Sequence, residues 1–148
     1  MKKPLMAAIQ TSISEVMETM FFLPIEFGRE STLAQSGMDK KNMACQLEFT
    51  GDVSGHLILV VPETLVAEMS ENFMGEPLEN LTPEHLAGTL TEMLNMVCGN
   101  ALRKTDAKTP FELGIPKMMD GSKIPKKQVF TIVETIESRM AVLLTIGE

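Results

Sequence analysis

The sequence predicts an α+β fold in which long helices pack on a largely antiparallel sheet, and two observations carry that prediction. Apolar residues recur at helical spacing over two long stretches, one opening the chain and one near its middle, and each stretch is followed by short β patterns joined by turn residues. Strands that arrive in such runs pair with their sequence neighbours in antiparallel fashion and bury a face under the helices. The repeated order, long helix and then strands in each half, also suggests a weak internal duplication. With 148 residues, 44% of them hydrophobic, the chain suffices for one domain over 1–148 with a real core and is too short for two independent ones.

Each element has its own signal. Over residues 4–22, Leu5, Ile9, Ile13, Val16, Met17 and Met20 recur at helical spacing, with Pro4 suited to a first turn and Pro24 placed to end the segment. Between Pro24 and Asp39 only the short mixed run at 32–34 suggests a strand or loop. Met43, Cys45, Leu47 and Phe49 alternate with Ala44, Gln46, Glu48 and Thr50, the pattern of a half-buried strand. Residues 51–55 are turn chemistry, and 56–61 are apolar on both faces as in an interior strand, so an antiparallel hairpin is expected. A short second helix opens at Pro62 and Glu63, placing Leu65, Val66, Met69 and Phe73 on one face before Gly75.

Thr82 and Pro83 read as the N-cap and first residue of a third, long helix running to about Lys104, with His85 where a capping box prefers Glu or Gln. Strong β patterns at 111–115, 129–133 and 141–146 close the chain, the last two joined across 134–139. Asp120, Gly121, Ser122 and Lys123 form a turn in a loop that also holds Lys117, Lys126 and Lys127.

Composition narrows the function. A net charge of -7, from 13 Lys+Arg against 20 Asp+Glu, argues against nucleic acid or an anionic membrane as the main partner. Cys45 and Cys98 lack CxxC spacing, so neither a disulfide framework nor a zinc ribbon is indicated, and a reducing cytoplasm fits best. The opening Lys2 and Lys3 resemble a signal-peptide start, but the apolar run behind them stops at Ile9, and no segment approaches the roughly 20 apolar residues of a membrane span. Thirteen Met with no Trp or Tyr point to a Met-rich, adaptable core. His56 and His85 have no metal-ligand neighbours at suitable spacing, Cys98 reads as a packed thiol, and no phosphate-binding glycine motif is present.

The third helix holds the candidate site. Leu86, Leu90, Met93, Val97 and Ala101 share one side and are expected to face the sheet. Asn95, Gly88, Gly99 and Arg103 all fall within about 60° of Glu92 on the opposite side. That stripe joins a carboxylate and an amide three residues apart, flanked by two glycines. Glycine inside a helix costs about 1 kcal/mol relative to alanine, and the close approach of another backbone is one reason to keep it.

The run from Glu92 through Asn95 to Asn100 resembles the E-x-x-N signature of the CheC/CheX/FliY family of chemotaxis phosphatases. Residues 14–22 are similar to the opening helix of its CheX branch, residues 51–55 to its hairpin, and Leu113, Gly114, Ile115 and Pro116 with Gly121 to the segment before its last two strands. The resemblance covers nearly the whole chain in the expected order. It implies hydrolysis of the aspartyl phosphate of a CheY-like receiver domain, with Glu92 pairing with the receiver's active-site lysine and Asn95 orienting the attacking water. It further implies a homodimer joined across a sheet edge, and Mg²⁺ held by the phosphorylated partner, since this chain has no clustered carboxylates for one. Two positions depart from the family pattern: Gly88 stands where Asp or Ser is frequent, and Met118 where a proline falls, the nearest being Pro116. In the first half Ser14 and Glu18 begin the same pattern but Phe21 replaces the Asn, so one catalytic face per chain is expected. A receiver-binding adaptor of the same fold without catalysis is the alternative.

Overall fold

The computed structural model describes residues 2–38, 41–105 and 110–147. The chain order is α1 (Lys2–Met20), β1 (Glu26–Ser31), β2 (Asn42–Thr50), β3 (Ser54–Pro62), α2 (Glu63–Met74), α3 (Pro83–Arg103), β4 (Glu112–Leu113), β5 (Lys117–Met118), β6 (Phe130–Glu134) and β7 (Arg139–Gly147). Short 3-10 turns lie at Leu78–Asn80 and Gly121–Lys123. The strands form one sheet in the order β1-β6-β7-β3-β2-β4, with β5 also on β2, and every pairing among the described residues is antiparallel. Exchanging β1 with β4, β2 with β6 and β3 with β7 reverses this order onto itself, so the sheet carries the duplication that the two halves of the sequence suggest.

Burial follows the alternation of the strands. Cys45, Leu47 and Phe49 of β2, Leu57, Leu59 and Val61 of β3, and Met140, Val142 and Leu144 of β7 join the helices in one core. Ala44, Ile58, Val60, Phe130, Ile132, Ala141 and Leu143 point the other way, where Leu33, Met38, Met119 and Ile124 pack over them. The helices thus cover one face and two loops cover part of the other. This explains why β3 is apolar on both sides. Met17, Met69, Met93 and Met140 are buried and six more methionines are partly so, which is the adaptable core that the composition suggests.

Residues 32–34, expected as strand or loop, are loop, and the strand after α1 lies ahead of them at Glu26–Ser31, five of whose six residues are exposed. It lies at the edge of the sheet, bonded to β6 with an irregularity between Phe27 and Glu30, so backbone pairing rather than an apolar stripe makes it a strand. Residues 32–34 turn away from it through bonds from Gln35 N–H to Thr32 O and from Ser36 N–H to Leu33 O. The β pattern at 111–115 contracts to Glu112–Leu113. Phe111 instead packs edge-on against Phe49 at 5.8 Å, Gly114 N–H donates to Glu48 O at 2.7 Å, and Ile115 stands 78% exposed.

Candidate functional site

The start of α3 is fixed by its own side chains. Thr82 Oγ1 accepts from His85 N–H at 3.2 Å, while His85 Nδ1 accepts from Thr82 N–H at 3.0 Å. The imidazole therefore closes the capping box in place of Glu or Gln, with its Nδ1 facing the Thr82 N–H. Pro83 occupies the first turn, where its missing N–H costs nothing, and Glu84 and Arg103 lie at the ends that suit their charges.

Below the cap, Leu90, Met93, Leu94, Val97, Cys98, Ala101 and Leu102 are buried, and Leu86 is partly so. This buried face is wider than a sheet contact requires because α1 packs on it too. Fully buried Ser12 on α1 donates its hydroxyl to Val97 O at 3.0 Å, and Lys104 pairs with Glu15 at 3.0 Å near the surface. Cys45 Sγ reaches Leu90 O at 3.9 Å from the sheet. Burial pushes the thiols of Cys45 and Cys98 up to about 12, and the nearby Cys98 adds to the shift at Cys45. Both are free and packed, with no nucleophilic character.

The opposite face is the predicted stripe. Glu92 is exposed, Asn95 and Gly99 are half-buried, and Gly88 and Arg103 are exposed. Glu92 and Asn95 lie three residues apart on α3 and therefore side by side. Arg103 donates to Asn100 Oδ1 along the helix rather than to either of them. Thr91 Oγ1 turns back to Ala87 O and Gly88 O at 3.0 and 3.2 Å.

Among the described residues no backbone crowds the two helix glycines, so the close approach expected there does not come from them. A Cβ at Gly88 meets nothing within 4 Å, and one at Gly99 meets only Leu113 Cδ1 at 3.8 Å and Arg103 at 3.9 Å. The close backbone contacts lie elsewhere, at Gly55 against Thr145 O and at Gly114 against Glu48 O. The helix glycines leave open surface beside Glu92 and Asn95.

In the first half Ser14 is half-buried and Glu18 exposed on α1, but Phe21 is 1% exposed, its ring 5.7 Å from that of Phe73. Where α3 presents an amide, the residue that follows α1 is a core aromatic. Among the described residues no group of three or more His, Cys, Asp or Glu is placed to hold a metal ion, and no helix is long and apolar enough to cross a membrane. Chemically, the α3 stripe offers a carboxylate for a cation and a neutral amide that can both donate and accept, while the neighbouring Thr91 hydroxyl is turned back onto the helix backbone.

The sequence marks 111–115 as a β pattern but does not place Leu113 and Met118 next to this stripe. Leu113 pairs with Phe49 and Met118 with Cys45, so both side chains emerge on the helix side. Besides that pattern, Met118 stands at the family's proline position.

Comparison with known proteins bears on the whole chain. The model of the chemotaxis phosphatase CheX family matches residues 43–134. Among solved structures, CheX in the CheX-CheY-BeF3-Mg complex from Borrelia burgdorferi has a TM-score of 0.79 at 19% identity, over 97% of both chains. CheX from Vibrio vulnificus has 0.79 at 18% identity, over 97% of this chain and 96% of that one. A CheC-like superfamily protein from a Shewanella species has 0.79 at 20% identity, over 98% of both. Among curated proteins no sequence matches. The structural likenesses share the fold described above, and the family match spans β2 through β6 with all of α3. The chain belongs to the CheX family of chemotaxis phosphatases.

Proposed function

We propose that this protein hydrolyses the aspartyl phosphate of a CheY-like receiver domain in chemotaxis or two-component signalling, as a single cytoplasmic domain over 1–148. The observation that carries the reading is the pairing of exposed Glu92 with half-buried Asn95 on the open face of α3 in a chain of this family. Phosphoryl transfer asks a partner protein for positioning and charge stabilisation more than for covalent chemistry. Glu92 supplies an anion for the receiver's active-site lysine. Asn95 is the catalytic residue: its carboxamide holds water in line with the phosphorus and adds no negative charge beside the phosphoryl oxygens.

A CheX has been seen in complex with CheY, BeF3 and Mg. Mg²⁺ belongs to the receiver in this reading, and no step is assigned to a metal on this chain. The homodimer implied by the family is part of the same reading. β1, bonded on one side to β6, and the short β4 and β5 margin are the two sheet edges open to it.

Gly88, standing where the pattern favours Asp or Ser, supports the second reading of a receiver-binding adaptor without turnover. Asn95→Ala separates the two when affinity and turnover are measured together on a CheY-type receiver from the same organism, with BeF3 and Mg²⁺ for the binding arm. A phosphatase loses turnover and keeps affinity. An adaptor binds and has no turnover to lose.

A further inference from the structure

The margin formed by β4 and β5 exposes apolar side chains beside the stripe. Leu113 is 37% exposed and Met118 40%, on two strands of two residues each. Leu113 lies 3.8 Å from the position a Cβ would take on Gly99. Met118 is the cross-strand partner of Cys45, whose Sγ meets Leu90 O at 3.9 Å, which sets it level with the turn of α3 at Leu90. Asn95, between Leu90 and Gly99 on the helix, thus lies between the levels of the two apolar side chains. Leaving two such groups in water has a cost that a covering partner would remove.

We propose that Leu113 and Met118 form the apolar rim of the receiver-docking surface, so that a receiver seats on the Glu92 and Asn95 stripe and on this sheet margin together. The inference rests on the phosphatase or adaptor reading, since both require a receiver on α3. A receiver is the occupant because the rim is continuous with that face: Gly99 brings Leu113 against the helix, and Gly88 leaves the helix surface open to an incoming body. Interfaces of this kind concentrate their binding in a few apolar anchors surrounded by polar groups. The rim would anchor while the stripe performs or aligns the chemistry.

The test compares the unaltered protein with the Leu113→Ser/Met118→Ser double variant, after matching thermal midpoints, on a CheY-type receiver from the same organism with BeF3 and Mg²⁺. The expected result is an affinity weaker by about tenfold and a raised KM with kcat at saturation retained, the opposite split from Asn95→Ala. Amide exchange in the unaltered protein keeps the test open should the double variant fold poorly, and receiver binding is expected to slow exchange over residues 112–118. Unchanged affinity, or no added protection there while the receiver binds, overturns the rim and leaves the function standing. Absence of binding and turnover in the unaltered protein removes the function and the rim with it. Conversion of a dimer to a monomer with receiver affinity unchanged would show the margin to be a contact between copies of this chain, which also overturns the proposal.

Discussion

Gly88→Ala is expected to make the protein more stable. The residue lies inside α3, its side is exposed, and a Cβ built there meets nothing within 4 Å, so the added methyl brings no clash. What remains is the backbone entropy that glycine loses on entering a helix, about 1 kcal/mol relative to alanine. For a chain of this length that raises the melting temperature by about 2–4 °C. With a urea dependence of about 2 kcal/mol per M, the midpoint moves up by about 0.5 M. Urea unfolding followed by circular dichroism reads it directly, with Gly99→Ala as companion, since its nearest neighbours are at ordinary contact distance. An unchanged or lowered midpoint for Gly88→Ala would refute the claim that open space surrounds this position. If the glycine is retained for docking, the stabilised variant also shows a raised KM for the phosphorylated receiver.

Gly55→Ala, by contrast, drives a methyl into Thr145 O and against Ile146 in the β3–β7 ladder, and is expected to cost more than about 2 kcal/mol or to prevent folding, as read by thermal unfolding and soluble yield. Thr82→Ala removes the cap that accepts from His85 N–H and costs about 1 kcal/mol, whereas His85→Glu keeps the capping box and leaves the urea midpoint nearly unchanged. Cys45 and Cys98 are held as thiols up to about 12, so a thiol reagent at neutral pH labels them only through unfolding. Because both are raised in the fold, the unfolded chain releases protons first. Stability is therefore full below about pH 9 and falls from there towards 12, by up to about 1.4 kcal/mol per thiol per pH unit, which a urea series across that range measures.

Helix periodicity and strand alternation made most of this architecture legible, because the buried faces of α1, α3, β2, β3 and β7 are made of residues whose spacing matches their element. β1 was not legible, since an edge strand of Glu26, Gly28, Arg29 and Glu30 is held by backbone bonds to β6 and has almost no side chains in the core. Residues 111–115 misled in the other direction, their apolar pattern coming from Phe111 on Phe49 and from a margin that leaves Leu113 and Ile115 exposed. The Glu92 and Asn95 stripe followed from the wheel alone, but its meaning came from resemblance, as any solvated helix face offers such pairs. The purpose of Gly88 could not be read from spacing, because the body that would approach it lies outside this chain.

The central claim is tested most directly by the decay of a phosphorylated CheY-type receiver in Mg²⁺, alone, with this protein, and with folded Glu92→Ala and Asn95→Ala variants. The account predicts faster decay with the unaltered protein and loss of that acceleration in both variants. Decay unchanged by the unaltered protein across the receivers of the same organism, or acceleration retained in Asn95→Ala, would contradict it.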